Sequence, residues 1–239
     1  MTDRVVTIAA AGRRVDIEYA WIDAANPAPV VVFLHEGLGS LAMWKDFPAR
    51  LCEALGMRGL VYSRPGYGNS TARARGERWG VDFMHREATA VLPALLAALD
   101  VPARPWLFGH SDGASIALLH GASFAAACSG VVALAPHLFV EDVSVRSIEA
   151  TRAAYLSTDL RARLARYHAD PDSAFFGWND IWLDPAFRRW NIEGEMERIR
   201  CPVLAMQGED DEYGTMAQVD RLAALVPQAQ VVKLAQCGH

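Results

Sequence analysis

Cysteine is scarce and scattered: Cys52, Cys128, Cys201 and Cys237 are the four in 239 residues, and none stands in a Cys-x-x-Cys pair. That spacing excludes a disulfide-stapled secreted scaffold and a zinc or redox motif, and it predicts reduced thiols in a cytoplasmic protein. Basic excess is missing too. Lys and Arg number 23 against 28 Asp and Glu, a formal net charge of −5, which offers no electrostatic footprint for a polyanion and argues against a nucleic-acid partner. The opening residues Met1-Thr2-Asp3-Arg4 contain no apolar signal region, so export is not expected. There is no internal repeat and no low-complexity tract beyond a general richness in alanine. No His and carboxylate set has ligand spacing, and neither a metal nor another cofactor is expected. Charge is absent from Gly113 to Val140, a stretch long enough to raise a membrane span. His120, Gly121, Ser123, Ser129, Gly130 and Pro136 interrupt it, so it reads as a buried helix, a turn and a buried strand, with no membrane association.

What is present is ordinary globular composition, 52% apolar and 21% charged. At roughly 150 residues per domain the length suits one domain plus an insertion. Periodicity predicts strands at Val5–Ala9, Val15–Ile22, Val30–Leu34, Gly59–Tyr62, Trp106–Phe108, Val131–Leu134, Val203–Met206 and Val231–Leu234. The later runs are continuously apolar rather than alternating, as in parallel strands covered on both faces. Helices are predicted at Met43–Leu55, Val81–Leu99, Ala114–Phe124 and Met216–Val226. Two opening strands followed by β-α alternation predict a three-layer α/β fold with a mostly parallel sheet. More than sixty residues separate the strand near Leu134 from that at Val203, too many for one crossover. The expected division is a core of residues 1–140 and 201–239 with a helical insertion of 141–200. That insertion carries eight of the 22 aromatics, which either build its own small core or form the underside of a lid over a substrate pocket.

Chemistry concentrates in four places. Gly109-His110-Ser111-Asp112-Gly113 lies between a buried strand and an uncharged helix. There a Gly-x-Ser-x-Gly turn presents a nucleophilic serine at a helix N-terminus, and its close neighbours must be small. His35-Glu36-Gly37-Leu38-Gly39 ends the third strand in a loop where backbone N–H groups can approach an acyl oxygen. The strand at Val203 opens into Gly208-Glu209-Asp210-Asp211-Glu212, where Asp210, Asp211 and Glu212 are candidate acids or members of a solvated acidic loop. His239 follows the last strand in a Gly-containing loop and is the candidate base. His35, His85, His110, His120, His137 and His168 have the blander reading of packed or exposed residues.

On these motifs the chain resembles the α/β-hydrolase superfamily, which runs in the order Ser, acid, His. The resemblance implies the triad Ser111, Asp211, His239, since the family's acid stands three positions after the loop glycine. It also implies oxyanion donors at the N–H of Asp112 and of Gly37 or Leu38, with Glu36 standing where the family motif has Gly. Tyr62-Ser63-Arg64-Pro65-Gly66-Tyr67-Gly68-Asn69-Ser70 looks like the family's scaffold turn, with Ser63 in place of Asp. The Ser-Asp-Gly elbow, the helical insertion and Trp178-x-x-x-Trp182 are similar to the biphenyl-hydrolase-like and meta-cleavage-product hydrolase branch. The expectation is a cofactor-free serine hydrolase of small carboxylic esters, with Trp178, Trp182 and Asp112 against the substrate. Carbon–carbon bond cleavage with the same triad and a ligand sensor without turnover are the alternatives. Asp112 is expected either to cap its helix or to select substrates bearing an ammonium. The family continues past its His into a further helix, so the 239 residues are expected to be a fragment lacking it.

Overall fold

The computed structural model describes residues 4–25 and 27–239. Eight strands form one sheet: β1 (Arg4–Ala10), β2 (Arg13–Ile22), β3 (Val30–Leu34), β4 (Arg58–Tyr62), β5 (Trp106–His110), β6 (Gly130–Leu134), β7 (Val203–Gly208) and β8 (Ala229–Leu234). Their order is β1-β2-β4-β3-β5-β6-β7-β8, with β2 antiparallel to both β1 and β4 and every other pair parallel. Ala11 and Gly12 join β1 to β2 with φ of 51° and 80°, the left-handed pair that a two-residue hairpin needs. β3 is buried along its whole length and β5 at its three central residues, which is why both read as apolar runs without alternation.

The helices are α1 (Phe47–Leu55), α2 (Phe83–Arg86), α3 (Leu92–Ala98), α4 (Asp112–Ser123), α5 (Asp142–Ser157), α6 (Leu160–Leu164), α7 (Pro171–Trp182), α8 (Glu193–Met196) and α9 (Ala217–Leu225). Two depart from expectation. A continuous helix from Met43 would need residue 48 to donate to the Trp44 carbonyl, and Pro48 has no N–H. The chain instead makes a 3₁₀ turn at Leu41–Trp44, reverses at Lys45 with φ 54°, and begins α1 at Phe47. Between α2 and α3 the helix widens into a π turn at Glu87–Val91. Pro93, just beyond, removes the donor for the Thr89 carbonyl, and a wider turn relieves the ring clash.

α4 is buried at all but one of its twelve positions, so it carries no polar stripe. The insertion is helical, as expected, but it builds no separate core. Its Ile148, Phe175, Trp182 and Trp190 belong to the same buried cluster as Leu34, Leu107 and Leu119 of the sheet layer. No helix among the described residues is long and apolar enough to cross a membrane.

The scaffold turn is tied to β2 by a carboxylate that motif reading overlooks. Glu18 is 3% exposed. It accepts from Ser63 Oγ at 2.6 Å and from the Asn69 N–H at 3.0 Å, while Ser63 Oγ also accepts from the Leu41 N–H at 2.9 Å. The acid that the family carries at position 63 is thus supplied from the neighbouring strand. Glu18→Ala leaves a buried hydroxyl and a backbone donor without their acceptor. Hydrogen bonds to a charged group are worth about 1.5–3 kcal/mol each, so a loss of about 2 kcal/mol or more is expected in urea unfolding. Wild-type stability in that variant would show that the turn does not depend on Glu18.

Candidate active site

The loops after β3, β5, β6 and β7 converge at the carboxyl edge of the sheet, where open α/β sheets hold their ligands. Ser111 stands at the turn from β5 to α4 with φ 55°, a conformation that costs a non-glycine residue of order 1–3 kcal/mol. The turn is held by the Ser111 N–H on the Leu134 carbonyl at 2.9 Å and by the Ser115 N–H on the Ser111 carbonyl at 3.0 Å. The flanking glycines are required by backbone, not by taste for flexibility. A β-carbon on Gly109 would lie 2.3 Å from the Gly113 carbonyl oxygen, and one on Gly113 would lie 2.1 Å from that of Leu34.

Of the three acids in the loop after β7, Asp211 is the one that meets the histidine. His239 Nδ1 lies 2.9 Å and 2.8 Å from its two carboxylate oxygens. The carboxylate also accepts from the N–H of Tyr213 at 2.7 Å and of Gly214 at 3.1 Å, and from Gln207 Nε2 at 2.8 Å. Burial pushes the Asp211 pKa up, but the His239 hydrogen bond and charge together with those backbone donors outweigh it, and the net shift is downward. Glu212 instead accepts from the His239 backbone N–H at 3.1 Å, and Asp210 is exposed.

Ser111 and His239 line one cavity of about 170 Å³ together with Glu36, Gly37, Leu38, His137, Ser144, Ile148, Trp178, Trp182 and Tyr213. The Ser111 hydroxyl points to His137 Nε2 at 3.4 Å, and no hydrogen bond joins it to His239. His137, read from sequence as a border residue of the insertion, therefore belongs to the site. It follows β6, and its backbone N–H and carbonyl are both bound by Ser115 Oγ, at 3.0 Å and 2.7 Å. Nothing in the local sequence marks it; only the sheet order brings the β6 loop beside the elbow.

The N–H groups of Gly37, Leu38 and Asp112 make no hydrogen bond within the described residues and so are free to bind an oxygen. The loop carrying the first two is held rigidly. His35 Nε2 accepts from the Arg64 N–H at 3.0 Å, so its Nδ1 carries the proton and donates to the Glu36 carbonyl at 2.7 Å. Arg64 Nη2 donates to the same carbonyl at 2.9 Å. His168 of the insertion accepts from the Gly68 N–H at 3.0 Å and donates from Nε2 to the Leu38 carbonyl at 3.0 Å. Gly37 is bare because Trp178 lies on it; a β-carbon there would stand 2.2 Å from the indole nitrogen.

The expectation for Asp112 is corrected. Its side chain is not among the cavity walls, and no side-chain hydrogen bond caps α4. The carboxylate turns inward, 3.8 Å from Arg64 Nη2 and 3.2 Å from Trp182 Nε1, where a buried cation and an indole already occupy it. Burial raises its pKa to about 6. The carboxylate that does line the cavity is Glu36, 3.8 Å from His110 Nδ1. Burial works against its charge, but His110 and His35 outweigh that and lower its pKa. His110 in turn donates from Nε2 to the His239 carbonyl at 2.8 Å. Among the described residues no group of His, Cys, Asp and Glu has the arrangement of a metal site.

A family profile described as the alpha/beta hydrolase family matches residues 31–239. The chain belongs to the alpha/beta hydrolase family. Solved structures of the same shape include one from a study of carboxylesterases of the thaumarchaeon Nitrososphaera gargenis, with TM-score 0.75, 16% identity, and 98% of this chain and 91% of that one covered. An esterase from Thermogutta terrifontis matches at TM-score 0.74 and 17% identity, covering 99% of this chain and 91% of that one. The enol-lactonase from Burkholderia xenovorans matches at TM-score 0.70 and 20% identity, covering 96% and 91%. At such identities the likeness is one of fold, and membership in the family makes the chain a hydrolase.

Four imidazoles, His35, His120, His137 and His168, are held below the usual range, each chiefly by burial, and His137 falls to about 3. Unfolding releases them to bind protons near the ordinary value of 6.5. The unfolded state then holds more protons, so stability is complete above that pH and is lost as pH falls below it, by up to about 1.4 kcal/mol per pH unit for each group. Three groups work in the opposite direction and reduce the decline: His110, whose Glu36 contact outweighs burial and raises its pKa, and Glu87 and Asp112, which burial raises to about 7 and about 6. Urea unfolding at about pH 7 and pH 5 should show the decline, and His137→Asn should make it shallower. An unchanged slope in that variant would mean His137 is protonated in the folded protein.

Proposed function

We propose that the chain is a cofactor-free serine hydrolase of small carboxylic esters, acting through an acyl-enzyme on Ser111. The observation that carries this reading is the Asp211 carboxylate closed on His239 Nδ1 in the same cavity as a serine held at positive φ. With Nδ1–H given to Asp211, Nε2 of His239 is left as the base. The Ser111 hydroxyl turns about χ1 from its His137 contact to a neighbouring staggered well and passes its proton to that nitrogen as Oγ attacks the carbonyl carbon. The oxyanion is received by the N–H of Asp112 and of Gly37 or Leu38, at the positive end of α4. His239 returns the proton to the leaving alcohol, and water repeats the sequence on the acyl-enzyme.

Substrate size follows from the walls. Ile148, Trp178 and Trp182 give the acyl group an apolar, water-poor surface. Glu36 adds a negative charge at the oxyanion loop and disfavours acyl groups that carry their own carboxylate. The insertion supplies Ser144, Ile148 and both tryptophans, and we assign it the role of lid. The same elbow and Trp178 and Trp182 support placement near the biphenyl-hydrolase-like branch.

A chromogenic short-chain ester tests the reading. Multiple turnovers are expected, with Ser111→Ala losing roughly 10³-fold or more in kcat. Asp211→Asn should lose about 10³ to 10⁴, and Asp210→Asn far less. A single slow turnover, or an active Ser111→Ala, would end the esterase reading in favour of a ligand sensor.

A further inference from the structure

A second cavity, of about 180 Å³, lies behind the scaffold turn, between the β1–β2 hairpin, residues 71–80 and the first turns of the helix after Asp82. In a chain of net charge −5, six arginines line it against two acids, Glu77 and Glu87. Three polar atoms of its wall are buried without a partner among the described residues: Arg64 Nε, Arg73 Nε and Glu87 Oε2. Arg64 is 1% exposed, so its orphan donor is not a surface feature. One outer nitrogen of each guanidinium is engaged, Arg64 Nη2 by the Glu36 carbonyl and Arg73 Nη1 by the Glu77 carbonyl, while both Nε–H groups are buried without an acceptor among the described residues. An unpaired buried donor costs about 1–3 kcal/mol, so an acceptor that reaches either Nε–H is stabilised.

Burial raises the Glu87 pKa to about 7, and near neutrality the acid keeps a proton much of the time and is then a third donor. Glu87 opens the π turn, a widening frequent at functional sites. The far wall is apolar: Trp79 and Phe83 stack with centroids 5.5 Å apart and planes 17° from parallel. Arg13 of β2 pairs with Glu77 at 2.6 Å across the entrance.

We propose that this cavity binds a small organic carboxylate, its oxygens accepting from Arg64 and Arg73 and its apolar body lying along Trp79 and Phe83. Donors without acceptors call for an anion, the planar guanidinium favours a carboxylate, and the stacked rings favour an apolar remainder. The site is separate from the Ser111 cavity and does not rest on the esterase reading. Arg64 lines this cavity alone, but it donates to the carbonyl of Glu36, a wall residue of the Ser111 cavity.

The test uses the full chain labelled with 5-fluorotryptophan, with sodium benzoate as probe and fluorine resonances assigned by Trp79→Phe, Trp178→Phe and Trp182→Phe. Benzoate should move the Trp79 resonance saturably and leave those of Trp178 and Trp182 in place. Benzyl alcohol, which has the ring without the charge, should not move it. Arg73→Met, at a partly exposed position, should weaken binding roughly tenfold or more, the worth of one charge-assisted hydrogen bond. Four results would overturn the proposal: no saturable shift, a shift confined to Trp178 or Trp182, an equal response to benzyl alcohol, or unchanged affinity in Arg73→Met. The alcohol control is read on the wild-type chain, so the proposal stays exposed even where a variant is unstable.

Discussion

The carbonyl oxygen of Leu34 lies where a β-carbon on residue 113 would have to be. Because position 113 has no side chain, α4 starts directly against the end of β3, and Ser111 is pushed forward into the positive-φ corner between β5 and α4. The same approach sets the β3 loop beside the elbow, so the free N–H groups of Gly37, Leu38 and Asp112 border the serine. Strain at Ser111 is held by an eleven-residue buried face of α4, since the helix cannot retreat without opening the core.

A buried polar network keeps the loops around that corner in place. Arg64, His35, His168 and Glu18 belong to four different segments joined by hydrogen bonds at or near 3 Å: Arg64 and His35 tie the scaffold turn to the loop after β3, Glu18 ties that turn to β2, and His168 ties both loops to the insertion. Neutral imidazoles suit this work, because one nitrogen accepts while the other donates, and burial keeps them neutral. Arg64 is the exception, a buried cation whose charge is shared among the Glu36 carbonyl, Asp112 and the Tyr67 ring, 4.7 Å away. It is also the side chain that stands between the two cavities.

The insertion is part of this system rather than an appendage. His168 fixes the Leu38 carbonyl, Trp178 covers Gly37, and Trp182 holds Asp112. Its aromatics join the main core, so its position over the site is set by the same apolar burial that holds the sheet layers together.

By itself the sequence determined all eight strands, the mostly parallel sheet, the site of the insertion and the Gly-x-Ser-x-Gly corner. These are written in short-range signals: continuous apolar runs for strands covered on both faces, and small residues where backbones must touch. Prolines 48 and 93 were equally visible, yet their consequences, a restarted helix and a π turn, depend on which carbonyl would have faced the missing N–H. Only the tertiary structure shows that, of Asp210, Asp211 and Glu212, it is the Asp211 carboxylate that meets the His239 ring. It alone turned Asp112 away from the cavity and Glu36 into it. It brought His137 to 3.4 Å from the Ser111 hydroxyl across 26 residues, and His168 to the Leu38 carbonyl across 130. Such pairings arise from strand order and helix packing, and a side chain's partner there is chosen by whatever the sheet places next to it, which no spacing along the chain records.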